Sequence, residues 1–172
     1  ISQKDSRVII GLMSGTSVDG LDMAICKFSG SGKETQFQLL HFDSVEFPQH
    51  LRQQILSFLG KRNVDLLELT LLHTEFAIFT ANAVLDLLKK VDFPISEVDL
   101  ISSHGQTIFH APKSFHHFVD RPNATLQIGD GDHIAALTGI ITIHDLRPKH
   151  VAMGGEGAQL ALYGDYILYA SE

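Results

Sequence analysis

The chain has 172 residues, of which 44% are hydrophobic, and 13 Lys and Arg against 20 Asp and Glu give a formal net charge of −7. This is enough apolar material for one domain, or two small lobes, with a core of its own, which sets disorder aside. An acidic balance without a long Lys/Arg run argues against a nucleic-acid backbone or an anionic membrane as the main partner. The single cysteine, Cys26, cannot close an internal disulfide, and no apolar run approaches the ~18 residues of a membrane span, so a reducing, cytoplasmic setting is expected.

Three β-like runs open the sequence, at residues 8–13, 21–28 and 37–47, joined by short connections that predict an antiparallel meander. Pro48 then opens a helix whose apolar face is Leu51, Ile55 and Phe58 or Leu59, with Gly60 at its end. A longer helix is expected from about residue 64 to 90. Leu69, Leu72, Phe76, Phe79, Ala83 and Leu87 step by three or four and make one stripe. Residues 98–103 read as a buried strand that delivers His104-Gly105-Gln106-Thr107 to its carboxyl tip. Residues 112–123 read as a loop and 125–128 as a strand. Asp130 or Asp132 caps a helix over 133–137 that Gly139 stops. Residues 140–143 form a last strand ending in His144-Asp145. A glycine loop (Gly154, Gly155, Gly157) and a mixed, weakly helical segment follow. The order predicts an α/β sheet with antiparallel leading strands and parallel later ones.

The segment Gly11-Leu12-Met13-Ser14-Gly15-Thr16-Ser17-Val18-Asp19-Gly20-Leu21-Asp22 is the richest in chemistry. It is not a P-loop, which needs a Lys before the Ser/Thr and a helix after it. A hairpin loop can still cradle phosphates. Gly15 and Gly20 permit positive φ, so that successive N–H groups converge, and Ser14, Thr16 and Ser17 offer hydroxyl donors. Asp19 and Asp22 would repel phosphate directly but could reach Mg²⁺ through water. An ordinary tight turn explains the same composition.

Downstream, three strand ends carry polar loops. His104, Gln106 and Thr107 supply neutral donors and acceptors suited to sugar hydroxyls or amides. Asp130 suits either a metal or a helix cap. Asp145 could meet a sugar hydroxyl or a metal, and Arg147 could pair with Asp145 or an anionic substrate group. Ten histidines raise a metal hydrolase as a rival, but no H-E-x-x-H occurs and the spacings match no common zinc site.

The opening motif resembles that of the anhydro-N-acetylmuramic acid kinase family. Ser103-His104-Gly105-Gln106-Thr107, Leu126-Gln127-Ile128-Gly129-Asp130, Thr138-Gly139-Ile140 and Gly154-Gly155-Glu156-Gly157-Ala158 continue the resemblance in order over essentially the whole chain. The resemblance implies the ribonuclease-H-like half of the sugar kinase/actin-like ATPase (hexokinase-type) fold, a mixed sheet with flanking helices. Residues 1–172 would then be the N-terminal nucleotide-phosphate and sugar-binding domain of a two-domain kinase, most of whose C-terminal domain lies outside the sequence.

The activity implied is ATP- and Mg²⁺-dependent, water-assisted opening of 1,6-anhydro-N-acetylmuramic acid to N-acetylmuramic acid 6-phosphate, in bacterial cell-wall recycling. The implied partners are the amino sugar and ATP, with no nucleic acid or membrane and with room for a homodimer. Gly15, Thr16, Ser17, Val18, Asp19, Gly20, Leu21 and Asp22 are the implied ATP contacts, and Asp19 and Asp22 the water-mediated metal contacts. His104, Gly105, Gln106, Thr107, Asp145 and Arg147 are the implied sugar contacts.

Some positions depart from the pattern. The family has Asp where this chain has His150, Gln where it has Glu156, and Pro where it has Gln159. The family's general base lies in a later Asp-Thr-Gly-Pro-Gly-Asn motif, beyond Glu172. These 172 residues alone are therefore expected not to turn over. The competing expectation is a divergent or truncated non-catalytic lobe that binds a ligand or a partner.

Overall fold

The structure, a computed structural model, describes residues 4–158 and 160–169. Strands β1 (Ser6–Ser14), β2 (Gly20–Ser29) and β3 (Gln36–Glu46) form the expected meander, with antiparallel pairing from β1 to β2 and from β2 to β3. Helix α1 (Gln49–Phe58) follows Pro48 and buries Leu51, Ile55 and Phe58. Helix α2 (Leu66–Lys90) is capped by Asp65, whose carboxylate accepts from Leu67 N–H at 2.8 Å and Glu68 N–H at 3.2 Å. A cap of this kind stabilises a helix by about 1 kcal/mol. Leu72, Phe76, Ala83 and Leu87 of the predicted stripe are buried, with Leu69 and Phe79 packed against them.

Helix α2 passes the length and hydropathy test for a membrane span, yet half of its most apolar window is buried within the protein. A core helix passes the same test.

Strand β4 (Leu100–Ala111) lies parallel to β1, so the sheet changes from antiparallel to parallel pairing at that junction. Beyond β4 come a four-residue helix α3 (Lys113–His116), strand β5 (Ala124–Ile128), helix α4 (Gly131–Thr138) and the two-residue strand β6 (Thr142–Ile143). Two helices, α5 (Leu146–Ala152) and α6 (Leu160–Tyr169), close the chain. The sheet order is β3-β2-β1-β4-β5, and β6 also pairs with β4. The parallel expectation holds for β6, whereas β5 runs antiparallel to β4.

The sheet's two faces differ. Ile10, Leu12, Leu21, Met23, Ile25 and Ile101 point into one core cluster with α1, α2 and Ile134 of α4. The alternate residues face away from it and leave a trough on the opposite side.

The expectation that His104–Thr107 forms a loop at a strand tip is corrected. These four residues lie inside β4, which continues to Ala111 in antiparallel pairing with β5. What the sequence shows as a break is a register shift. Gly105 takes φ +68°, and a Cβ there would lie 2.6 Å from the Ile128 carbonyl oxygen. Pairing with β1 and then with β5 lets the strand run through the irregularity.

Helix α5 is a second correction, since no periodic pattern in the sequence marks residues 146–152 as helical. Pro148 sits in its first turn, where the missing N–H costs no helical bond.

Candidate functional site

A cleft of about 780 Å³ opens on the uncovered face of the sheet. Its floor is a row of small residues in cross-strand register, Ala24 opposite Gly11 and Gly11 opposite Ser102, with Phe42 opposite Ala24 at its end. A Cβ built at Gly11 would meet nothing within 4 Å. Glycine in the interior of a strand is weakly stable and often marks a site of close approach. Phe42, 61% exposed, walls one end of the row. Of these floor residues only Gly11 belongs to a motif that stands out in the sequence, because cross-strand register does not show in a linear pattern. Gly11, a lone glycine in an apolar strand, was the one available signal.

The β1–β2 loop overhangs this floor, and Gly15, Thr16 and Asp22 line the cleft. The loop is a turn closed by Val18 N–H donating to Gly15 O at 3.2 Å. The positive φ expected at Gly15 or Gly20 falls instead on Val18, at +52°. A β-branched residue there is strained. It is held because the Val18 side chain is fully buried and its carbonyl accepts from Arg52 Nε at 2.8 Å.

Gly20 is required for another reason: a Cβ there would lie 2.5 Å from the Val45 carbonyl oxygen on β3. Leu21 points into the core. Thr16 and Ser17 are exposed. Asp19 lies outside the cleft lining; Ser17 Oγ donates to its Oδ1 at 2.8 Å and Gly20 N–H at 3.1 Å. The Ser17 hydrogen bond, first among several, holds the Asp19 carboxyl below its usual range. Of the two acidic candidates, Asp22 is the one that faces the cleft.

The opposite wall is a network of side chains. His104, Thr107 and Arg147 line the cleft. Arg147 Nη1 donates to Thr107 Oγ1 at 2.7 Å and Nε donates to Gly157 O at 2.6 Å, which ties α5, β4 and the glycine loop together. Gln127 Nε2 also reaches Thr107 Oγ1, at 3.3 Å, and Thr125 Oγ1, at 2.7 Å. Burial, above all, holds the His104 imidazole below its ordinary pKa, with the nearby Arg147 charge adding to it and the Gly105 carbonyl opposing. The ring is therefore neutral at neutral pH. Its Nδ1 lies 2.8 Å from Gly105 O, so the Nδ1–H tautomer donates there and leaves Nε2 to accept a hydrogen bond.

Three of the six sugar-contact candidates do not line the cleft: Gly105, Gln106 and Asp145. Gln106 is wholly buried; Ser14 Oγ donates to its Oε1 and its Nε2 donates to Thr107 O at 3.2 Å. It joins the end of β1, where the β1–β2 loop begins, to the opposite wall. Asp145, at φ +58°, lies at the N-terminal boundary of α5 with its carboxylate 3.2 Å from His144 Nδ1, and Arg147 donates to Thr107 and Gly157 rather than to Asp145. Asp130 caps α4 by accepting from Asp132 N–H at 3.0 Å and also binds His133 Nδ1.

Two of the three departures from the family pattern fall on described residues. His150 Nδ1 accepts from Gly157 N–H at 3.1 Å, and its ring fills the space a Cβ on Gly155 would need. Glu156 is exposed, and Gln159 lies outside the described residues. Among the described residues no group of three or more His, Cys, Asp or Glu is placed to hold a metal ion. Asp22 is the one carboxylate that lines the cleft among the described residues.

A family model for anhydro-N-acetylmuramic acid kinase matches residues 7–172. Among curated relatives, the anhydro-N-acetylmuramic acid kinase of Pseudoalteromonas atlantica is 48% identical over 99% of this chain and 43% of its own length. That of Pseudoalteromonas translucida is 49% identical over 98% of this chain and 42% of its own, and that of Caldanaerobacter subterraneus 38% over 99% and 43%. The chain thus spans about two-fifths of the length of these relatives. With the five motifs in order and the match running almost from end to end, the chain belongs to the anhydro-N-acetylmuramic acid kinase family.

Proposed function

We propose that this chain is the phosphate-loop domain of a two-domain, ATP-dependent kinase of the sugar kinase/actin-like fold. Its reaction converts 1,6-anhydro-N-acetylmuramic acid, water and ATP to N-acetylmuramic acid 6-phosphate and ADP, in the cytoplasm. The observation that carries this reading is the cleft itself. One open face of the sheet places the Gly15–Thr16 turn and Asp22 across a small-residue floor from His104, Thr107 and Arg147. The meander followed by a parallel β4 and β6 supports the fold.

In the proposed reaction the oxygen of water adds to the anomeric carbon as the bond from that carbon to O6 breaks. O6 takes the γ-phosphoryl group and ADP leaves. Little covalent work falls to the protein, so its task is to position the reactants and stabilise charge. The Thr16 hydroxyl and the turn amides not already hydrogen-bonded within it hold phosphate oxygens, while Ser17, donating to Asp19, braces the loop. Asp22 would hold Mg²⁺ through water, with Asp19 orienting the loop. Bound Mg²⁺ would neutralise charge developing on the phosphates. His104 Nε2 accepts from a sugar hydroxyl, and Thr107, fixed by Arg147, borders the same pocket. Gln106 acts as a positioning residue between the two walls. The base that takes the proton of water is proposed to lie outside these 172 residues.

An ADP-release assay on the full-length protein tests this reading. ADP formation should require the anhydro-sugar. Asp22→Asn should lower kcat/KM for MgATP about 10–100-fold, the usual worth of one charge-assisted contact, and Asp19→Asn should lower it less. Residues 1–172 alone should release no ADP. Release without the sugar, or from the isolated segment, would sink the proposal. Binding of both ligands by the full-length protein without turnover would point to the non-catalytic alternative.

A further inference from the structure

A second cavity, of about 620 Å³, lies at the far end of β4 and β5 and shares no lining residue with the phosphate cleft. The chain between β4 and β5 builds its outer wall. That excursion is knitted shut: Lys113 N–H donates to Asn123 Oδ1 at 2.8 Å, His116 Nε2 lies 3.1 Å from Pro122 O, and Phe118 N–H donates to His116 Nδ1 at 3.0 Å. Compact surface loops closed on their own side chains are frequently functional.

The wall is aromatic. Phe109 and Phe115 meet edge to face at 6.0 Å, and Phe115 and Phe118 remain 48% and 57% exposed. Large apolar side chains gathered at an exposed cavity, rather than scattered, mark an interaction site. The mouth is cationic. Arg62 lies over the Phe115 ring at 5.5 Å and Arg121 over the Phe118 ring at 4.9 Å, with Lys61 beside them. No carboxylate lines the cavity, and none of the three cations forms an ion pair among the described residues. In a chain with formal net charge −7, this is a local reversal of sign over an apolar pocket.

We propose that this cavity is a binding site for a small amphipathic anion, a flat or branched apolar body bearing one carboxylate, sulfonate or phosphate. The size suits a small molecule, and ligand sites combine an apolar lining with a few fixed polar groups. Stacking on the rings pre-orients each guanidinium and leaves its N–H edge for an oxyanion. The apolar body packs between Phe115, Phe118 and Leu126. This site is independent of the phosphate cleft and of the reaction assigned to it.

The probe is 8-anilinonaphthalene-1-sulfonate, titrated by fluorescence into the full-length protein beside its uncharged relative N-phenyl-1-naphthylamine. Saturable binding at one site is expected, about tenfold tighter for the sulfonate and unaffected by ATP with anhydro-sugar. The Arg62→Gln/Arg121→Gln variant should weaken sulfonate binding about tenfold while the thermal midpoint stays in place. If that variant fails to fold, the salt dependence of the unmutated protein decides, because a charge-steered site weakens as salt rises and a purely apolar patch does not. Equal affinity for the two probes, displacement by ATP, no saturable binding, or salt-insensitive binding would each overturn the proposal.

Discussion

The two walls of the cleft on the open face of the sheet are built in opposite ways. The β1–β2 side is a short backbone turn with exposed hydroxyls, held from below by one strained, buried residue, Val18, and by Arg52. The β4–α5 side is a network of side chains in which Thr107 is reached by both Arg147 and Gln127, and Gln106 is buried completely. A turn that offers main-chain amides and hydroxyls suits phosphate, whose oxygens accept from any donor. A network with fixed donors and acceptors suits a sugar, whose hydroxyls must be matched one by one. Backbone geometry therefore limits the first wall, and hydrogen-bond completeness limits the second.

Breaking the second wall at its backbone should have the largest effect. Gly105→Ala forces a side chain into positive φ and against the Ile128 carbonyl oxygen, 2.6 Å away. A loss of about 3 kcal/mol and a fall in melting temperature of about 6–12 °C are expected. Calorimetry checks this, and a melting temperature within a degree or two of the unmutated protein would contradict the tight β4–β5 packing.

Breaking the same wall through a side chain should cost less. Gln106→Leu leaves the Ser14 hydroxyl buried without its partner, at about 1–3 kcal/mol. Adding Ser14→Ala should return part of that loss, since no orphaned hydroxyl then remains. Urea midpoints of the two single variants and the double variant measure the coupling, and strict additivity would show that the Ser14–Gln106 strut carries no energy.

The smallest effect concerns pH. His104 is depressed by burial, so near neutral pH the folded ring resists protonation while the unfolded one accepts it freely. The unfolded state then binds more protons, and stability falls as pH drops through the ordinary histidine pKa of about 6.5, the loss becoming complete only below the folded value. His104→Gln should flatten the stability curve between pH 7 and 5. A variant curve parallel to that of the unmutated protein would mean that His104 is not held neutral.

Much of this was legible in the sequence, and the failures share one cause. The α2 stripe, the α1 face, the Asp130 cap and the Gly139 stop depend on residues near one another in the chain, and each follows from local spacing or capping chemistry. The misread elements depend on distant partners. His104–Thr107 looks like a loop because Gly105 interrupts the pattern, yet β1 and β5 carry the strand across it. Gly20 is needed because of β3, not because of its own φ. Positive φ on Val18 runs against residue preference and is paid for by burial and by Arg52. Gln106 reads as a polar ligand until its complete burial is seen. The register that aligns Ala24, Gly11 and Ser102 into a cleft floor has no linear signature.

The central claim is that this floor seats the reactants, and Gly11→Val tests it most directly. The new side chain has open space above the sheet and a β-branched residue suits a strand, so the melting temperature should hold or rise. The cleft would be filled, and anhydro-sugar-dependent ADP release by the full-length protein should fall by at least about tenfold. A folded Gly11→Val protein with undiminished ADP release would contradict the account.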